Sequence, residues 1–129
     1  MKPIVADEVV KIIGKLNQNK SPGHDGIGNL IVKNVASVIS KPLTDIFNLS
    51  LSTGMVPEQL KLAKVIPIYK KEDPEIFSNY RPVSVLPCFS KILERLVFNR
   101  CMDYNNKNNL LNGKQFGFRP THSTYMAVI

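Results

Sequence analysis

Two short runs of β-branched and aromatic residues, each with a proline inside or beside it, constrain the fold of this chain most tightly. The runs cover residues 65–69 and 83–86, and a polar segment at 70–79 separates them. This pattern predicts a β-hairpin. Because proline has no amide hydrogen to donate to a sheet, Pro67 and Pro82 require that the hairpin be a sheet edge or carry bulges at these positions.

Apolar residues recur at the helical period on both sides of the hairpin. Residues 6–17 predict a first helix, and a second helical stretch over residues 30–51 is expected to break near Ser40. Pro42 would then lie in the first turn after the break, with Gly54 as the C-cap. A further helix is expected from Phe89 until it fades in the asparagine-rich segment 105–109, and Ser123 begins what resembles another helix. We therefore predict an α+β fold, mainly helical, around one small antiparallel hairpin.

The chain has 129 residues, which allows one domain or part of one. No apolar run approaches the roughly 18 residues that span a bilayer, and the first residues lack the apolar core of a secretory signal. An intracellular location is therefore expected. Cys88 and Cys101 have no CxxC or Cys/His cluster around them, so we predict buried, reduced thiols and no metal site.

Positive charge dominates the chain. Seventeen Lys and Arg residues against ten Asp and Glu residues give a net charge of +7. The segment after Asp103 contains no acidic residue, yet it contains Lys107, Lys114 and Arg119. Such a balance favours polyanions, either nucleic acid or an anionic membrane surface.

Three cations lie at one end of the predicted hairpin, because Lys70 and Lys71 leave its first strand and Arg81 enters its second. They are suited to gripping a triphosphate or a nucleic-acid backbone, with arginine forming a forked pair and lysine acting as a mobile charge. The alternative is a solvated turn in which neighbouring acids pair with these lysines. Those acids are Glu72, Asp73 and Glu75.

Two other segments have both a functional and a structural interpretation. Residues 20–26 contain small residues that would let backbone amides approach a phosphate, with Lys20 and His24 adding charge, but the spacing is not that of a Walker A loop. Residues 115–123 could lie along a nucleic-acid strand, with Phe116 or Phe118 stacking on bases. The structural alternatives are a plain turn for the first segment and core anchors for the two phenylalanines.

Other chemistries lack their parts. A hydrolase triad needs a base and an orienting group, and neither His24 nor His122 lies in a recognisable elbow motif. Two-metal nucleotidyl transfer needs two or three converging carboxylates, and no Asp follows a hydrophobic strand. The sequence thus contains no complete catalytic centre.

Four segments, taken in order, resemble one known family. They are SPGHDGI at 21–27, PEQLKLAKVIPIYKK at 57–71, NYRPVSVL at 79–86 followed by KILE at 91–94, and QFGFRP at 115–120 followed by HST at 122–124. At this spacing they resemble the N-terminal part of a non-LTR (LINE-type, jockey/CR1-like) retrotransposon reverse transcriptase. The resemblance covers essentially the whole chain.

The resemblance implies that residues 1–129 form a partial reverse transcriptase domain, namely the fingers of a right-hand polymerase and the approach to the palm. Lys70 and Arg81 match the fingers residues that contact the incoming dNTP, with Lys71 as a less certain neighbour. Residues on the template side, or with a structural role, would be Gly23, Asp25, Gln115, Gly117, Phe118 and Arg119.

The resemblance also implies that the palm aspartates, which hold Mg²⁺ in the full-length relatives, come after the HST segment. We therefore expect no catalytic residue and no bound Mg²⁺ in this chain. The expected function is a fragment of an RNA-directed DNA polymerase that contacts template and dNTP without polymerising alone. The alternatives are a non-catalytic basic nucleic-acid-binding module from a truncated or domesticated element, and a degenerate reading frame.

The implied partners are an RNA template, a DNA primer, dNTP, and the palm and thumb of the full-length polymerase, in the cytoplasm or the nucleus. No membrane partner is expected. Without the palm, the apolar segment 125–129 would lack a partner, so we expect marginal stability or aggregation.

Overall fold

A computed structural model describes residues 2–119 and 121–128. Pro120 of the 115–120 motif and Ile129 of the apolar C-terminal segment lie outside these residues. The chain divides into two compact units, Met1–Val97 and Phe98–Ile129.

The described residues form helices and one small sheet, which confirms the predicted α+β class. Short 3-10 helices cover Phe77–Asn79 and Tyr125–Ala127, so the helix expected from Ser123 is a single tight turn. The elements in chain order are α1 (Ala6–Gly14), α2 (Asn29–Asn34), α3 (Ala36–Thr53), α4 (Glu58–Lys61), β1 (Lys64–Tyr69), β2 (Tyr80–Val85) and α5 (Cys88–Lys107).

The core of the first unit is formed by the helices. Helix α1 buries Val9 and Ile13 and packs against α2 and α3. It ends three residues before the predicted limit, because the amides of Lys15 and Leu16 bond to carbonyls three residues back and close a tighter last turn. The buried apolar residues are Ile4, Val9, Ile13, Val32, Phe47, Cys88, Ile92, Leu93 and Leu96.

The N-terminal segment is tied to α3 by Asn48. The Asn48 Oδ1 atom accepts a bond from the Ile4 amide at 2.8 Å, and Asn48 Nδ2 donates to the Ile4 carbonyl at 2.9 Å. These reciprocal bonds satisfy the backbone of Ile4, which is buried. They hold the segment that precedes α1 against α3.

The predicted break near Ser40 is wrong. The helical stretch breaks at Val35 instead, and α3 runs through Pro42 to Thr53, so Pro42 is inside the helix and not in its first turn. Val35 keeps its backbone bonded, since its amide donates to Ile31 and its carbonyl accepts from Val38. Pro42 is exposed, so water can satisfy the carbonyl that its missing amide would have served.

Gly54 ends α3 as predicted. It has a left-handed backbone, with φ of 72°, and its amide donates to the Ser50 carbonyl at 3.0 Å. A side chain would be strained in this conformation, which explains the glycine. The segment after it forms the short helix α4.

Strands β1 and β2 pair antiparallel in a continuous register from Lys64 opposite Val85 to Tyr69 opposite Tyr80. The edge alternative of the prediction is confirmed, because the two strands form a two-stranded sheet. Pro67 lies directly opposite Pro82, and no extra residue interrupts the pairing.

Helix α5 covers the predicted helical segment, but its buried residues all lie between Cys88 and Leu96. Both cysteines are free thiols, and only Cys88 is buried. The prediction that Cys101 is buried is wrong, since Cys101 lies more than one helical turn beyond Leu96, the last buried residue of α5. No helix in the described residues is long and apolar enough to cross a membrane.

Candidate functional site

Asp73 organises the turn between the two strands. Its Oδ1 atom accepts the Glu75 amide at 2.8 Å, and its carbonyl accepts Asn79 Nδ2 at 2.8 Å and the Ile76 amide at 3.3 Å. This is an aspartate turn in which the side chain replaces a backbone acceptor. The Asp73 carboxylate is thus used to shape the turn.

Two tyrosines lie at the turn end of the two-stranded ribbon that β1 and β2 form. The rings of Tyr69 and Tyr80 meet edge to face with their centroids 5.6 Å apart. The Tyr69 hydroxyl donates to the Glu72 carbonyl, and the Tyr80 hydroxyl donates to the Pro74 carbonyl at 2.8 Å. Both side chains therefore attach the turn to the strands. Their role was not predicted from the sequence, although the aromatic residues flanking the polar turn were a signal for it.

Lys70 and Arg81 belong to one face of the ribbon. The Lys70 amide donates to the Asn79 carbonyl at 2.8 Å, which extends the ladder by one pair. Side chains alternate between the faces of a strand, so Lys70 shares a face with Ile68 and with the residue opposite it, Arg81. The two cations are diagonal neighbours across the ladder, at about 7–8 Å between backbones.

The three cations differ in their ion pairs. Lys71 Nζ lies 3.6 Å from Glu72 Oε1, and both side chains are about two-thirds exposed. Among residues 2–119 and 121–128, the Lys70 and Arg81 side chains form no ion pair. The solvated-turn alternative thus applies to Lys71, while Lys70 and Arg81 keep their charge available to an anion.

The loop at 20–26 is a built turn. Gly23 is buried against Pro87, and the Gly26 amide donates to the Gly23 carbonyl at 3.3 Å. Asp25 Oδ1 accepts the Ile27 amide at 3.1 Å. Gly23 therefore serves packing, whereas the carboxylate of Asp25 lies at the surface.

The second unit contains the other four candidate residues. The Gln115 amide and Arg119 Nη1 both donate to the Asn112 carbonyl, at 3.0 and 3.2 Å, which folds the segment around Gly117 into a turn. Phe118 is fully exposed with a φ of 61°, a strained backbone for a bulky residue. The core-anchor interpretation of Phe118 is wrong.

The other phenylalanine of this segment, Phe116, is half-buried and lies 5.8 Å from the His122 ring, centroid to centroid. The candidate residues are thus split between the units. Lys70, Lys71, Arg81, Gly23 and Asp25 belong to the first unit, and the remaining four belong to the second.

In the part of the chain that the structure describes, no three His, Cys, Asp or Glu side chains come close enough to hold a metal ion. The acids of the hairpin turn are no exception, since the Asp73 carboxylate bonds to the backbone.

Several known proteins similar to this chain are RNA-directed DNA polymerases. It is 38% identical over 125 residues to the probable RNA-directed DNA polymerase from transposon BS of Drosophila melanogaster, an alignment that covers 96% of the chain. Over 125 residues it is 34% identical to the RNA-directed DNA polymerase from mobile element jockey of the same species, again across 96% of the chain.

A third relative is the probable RNA-directed DNA polymerase from transposon X-element of Drosophila melanogaster, at 35% identity over 123 residues and 95% of the chain. The chain spans about 14% of the length of each of these three relatives. No protein-family model matches it. Over most of its length, the chain is therefore homologous to a segment of the RNA-directed DNA polymerases of non-LTR retrotransposons.

Proposed function

We propose that residues 1–129 form the fingers part of a retrotransposon reverse transcriptase, where they hold the incoming dNTP and the template. The homology to RNA-directed DNA polymerases supports the reverse transcriptase part of this proposal. The observation that carries it is the pair Lys70 and Arg81, on one face of a rigid ribbon and without an ion pair in the described residues.

Lys70 and Arg81 would bind the triphosphate of the dNTP. Arginine presents a planar fork that matches two phosphate oxygens, whereas lysine contributes a compact charge on a flexible stem. Because negative charge builds up on the leaving pyrophosphate during nucleotidyl transfer, fixed cations there stabilise the transition state. Lys71 would assist, since an exposed ion pair such as Lys71–Glu72 is weak enough to exchange for phosphate.

The template contacts are assigned to both units. Phe118 would stack on a base and Arg119 would lie near a phosphate, while Gln115 and Gly117 shape the turn that presents them. In the first unit Asp25 would lie on the template side, and Gly23 would hold its loop in place.

Polymerases of this kind use two metal ions held by carboxylates. The described residues do not fit Mg²⁺, because they provide no cluster of three ligands. We therefore propose that this chain binds dNTP and template and takes no part in the metal-dependent step.

Binding of dNTP to the chain in complex with a recessed RNA/DNA primer-template tests this proposal. Lys70→Glu and Arg81→Glu should each weaken dNTP binding by about tenfold or more, since a charged hydrogen bond is worth about 1.5–3 kcal/mol. Lys64→Glu is the matched control, because Lys64 shares their face at the far end of β1. It should leave dNTP binding near the unmodified level.

Binding of the primer-template itself, at two salt concentrations, separates the alternatives. It should weaken steeply with salt and change little in Lys70→Glu and Arg81→Glu. Equal losses of dNTP and duplex binding would contradict the assigned roles and favour a basic nucleic-acid-binding module. Primer extension by the 129-residue chain with Mg²⁺ and all four dNTPs would overturn the assignment of chemistry to other parts of the polymerase.

A further inference from the structure

An open groove lies beside the other face of the ribbon, opposite the face of Lys70 and Arg81. The alternation along the strands places Pro67, Tyr69, Tyr80 and Pro82 on this face. Phe77 stands at the groove with 94% of its surface exposed. The lining consists of three prolines, two aromatic rings and one acid, namely Pro67, Pro74, Pro82, Phe77, Tyr80 and Glu75.

The groove is preformed. Tyr80 packs edge to face on Tyr69, and its hydroxyl donates to the Pro74 carbonyl. Two lining residues of the groove, Tyr80 on β2 and Pro74 in the turn, are thus bonded to each other. The Asp73 turn holds Glu75 and the 3-10 helix with Phe77. Because proline rings also fix their own backbone angles, the backbone of the groove should need little reordering to bind a ligand.

A single acid lines the groove, although the chain is positive as a whole. Glu72, Asp73 and Glu75 are three of its ten acidic residues and lie in one turn. Glu75 lines the groove, and within the described residues its carboxylate forms no ion pair. Glu72 is paired with Lys71 and the Asp73 carboxylate is bonded to the backbone, so Glu75 is the acid that can pair with a cationic group of a ligand.

The backbone at the ribbon edges selects the shape of the ligand. Bonded and non-bonded pairs alternate in an antiparallel ladder, so the bonded position of Lys70 and Asn79 makes Pro67 and Pro82 a non-bonded pair. At such positions the amide side faces outward, and these prolines offer no N–H to an added strand. A polyproline II segment needs no such partner, because its own backbone stays hydrated.

We propose that this groove binds a proline-rich segment of a protein partner, in the polyproline II conformation, with an arginine that pairs with Glu75. Aromatic-lined grooves dock such segments by packing proline rings between their walls. The site uses the face opposite to Lys70 and Arg81, so it shares no residue with the proposed dNTP contacts.

The test is an NMR titration of the isotope-labelled 129-residue chain with a synthetic peptide, arginine followed by alternating proline and leucine. Amide shifts should concentrate at Phe77, Tyr80 and Glu75. Truncation of one central aromatic anchor should weaken binding by about tenfold, so Phe77→Ala and Glu75→Lys are the informative variants. Both side chains are exposed, so both variants should keep the fold. Tyr104→Ala and Glu94→Lys are matched controls at exposed positions outside the groove.

Weaker binding in the two groove variants and unchanged binding in the two controls would support the proposal. Peptide binding that survives both groove variants, or an absence of shifts, would overturn it. Equal affinity for a peptide with glutamate in place of arginine would overturn the pairing with Glu75. A short oligouridine that shifts the same amides and displaces the peptide would assign the groove to nucleic acid instead.

Discussion

Gly23 packs against Pro87 so closely that a Cβ atom on Gly23 would lie 2.7 Å from the Pro87 nitrogen and 2.8 Å from its Cα. This contact joins the loop at 20–26 to the residue before α5. Both partners are backbone, so neither can move aside without shifting the helix start or the loop. The loop that the sequence singled out for its small residues is therefore fixed by packing.

Gly23→Ala should consequently lower the free energy of unfolding by about 1–3 kcal/mol, the usual cost of overpacking. Urea unfolding followed by circular dichroism measures the change. Gly14→Ala is the control, because nothing lies within 4 Å of a Cβ at Gly14 at the end of α1. That substitution should be neutral or stabilise the helix by about 0.5–1 kcal/mol. Similar effects of the two substitutions would refute the packing role of Gly23.

Pro67→Val and Pro82→Val should promote self-association. Each substitution places an outward amide on an edge of the ribbon and so provides a donor for pairing with another chain. Sedimentation velocity over a range of concentrations should show larger species, most of all in the double variant. Pro42→Ala is the control, since it changes an exposed proline inside α3 and should stabilise the helix without association. A monomeric double variant would contradict this edge mechanism.

Phe118→Gly should separate stability from binding. Glycine relieves the strain of a φ of 61° and should raise the free energy of unfolding by up to about 1 kcal/mol. The same change removes an exposed ring, and loss of one stacked base should weaken single-stranded RNA binding about tenfold. Phe118→Tyr keeps a ring and should retain RNA affinity, measured by fluorescence anisotropy of labelled RNA. Unchanged affinity in Phe118→Gly would show that the ring does not stack.

The two thiols should react at different rates. Cys101 is exposed and should react quickly with a thiol reagent, whereas Cys88 should react only as the chain unfolds. Burial also raises the pKa of the Cys88 thiol above its ordinary value of 9.0, with a smaller opposite effect of Lys91 and a further rise from Asp25. Mass spectrometry after timed labelling measures both rates, and rapid labelling of Cys88 in the folded chain would contradict its burial.

The raised pKa of Cys88 also sets a pH dependence. The folded thiol holds its proton more tightly than the unfolded one, so its contribution to stability is complete below pH 9.0 and is lost as the pH rises through the folded pKa. Cys88→Ala should reduce this loss in unfolding experiments above pH 9.0. An unchanged alkaline slope in this variant would assign the effect to other groups.

Periodicity and turn chemistry predicted most of the fold. The hairpin, the C-cap at Gly54 and the extent of α5 all follow from local preferences of the residues that form them. The break at Val35 was not predictable in this way. Proline is the stronger local signal for a helix break, and Pro42 therefore pointed to a break near Ser40. An exposed proline is tolerated inside a helix when water replaces the lost bond, and exposure depends on tertiary packing.

The candidate site divides in the same manner. The sequence predicted which cations flank the turn of the hairpin. It could not predict which of them share a face of the ribbon and which form an ion pair. The register decides that Lys70 and Arg81 share a face, and the turn geometry decides that Lys71 pairs with Glu72. Phe118 illustrates a different limit, because apolar character alone does not tell a core residue from one held out in solvent by a strained backbone.

The exposure of the ribbon on both faces has a thermodynamic consequence. Only Ile66, Tyr80 and Val85 of its strands are even half-buried, so the hairpin should open locally at a lower free energy than the helical core. A ligand that requires the closed ribbon, on either face, shifts this equilibrium toward closure. A second ligand on the opposite face would then bind a ribbon that is already closed. The coupling between nucleotide and peptide is thus set by the fraction of chains in which the free ribbon is open, and it is equal in both directions without contact between the two ligands.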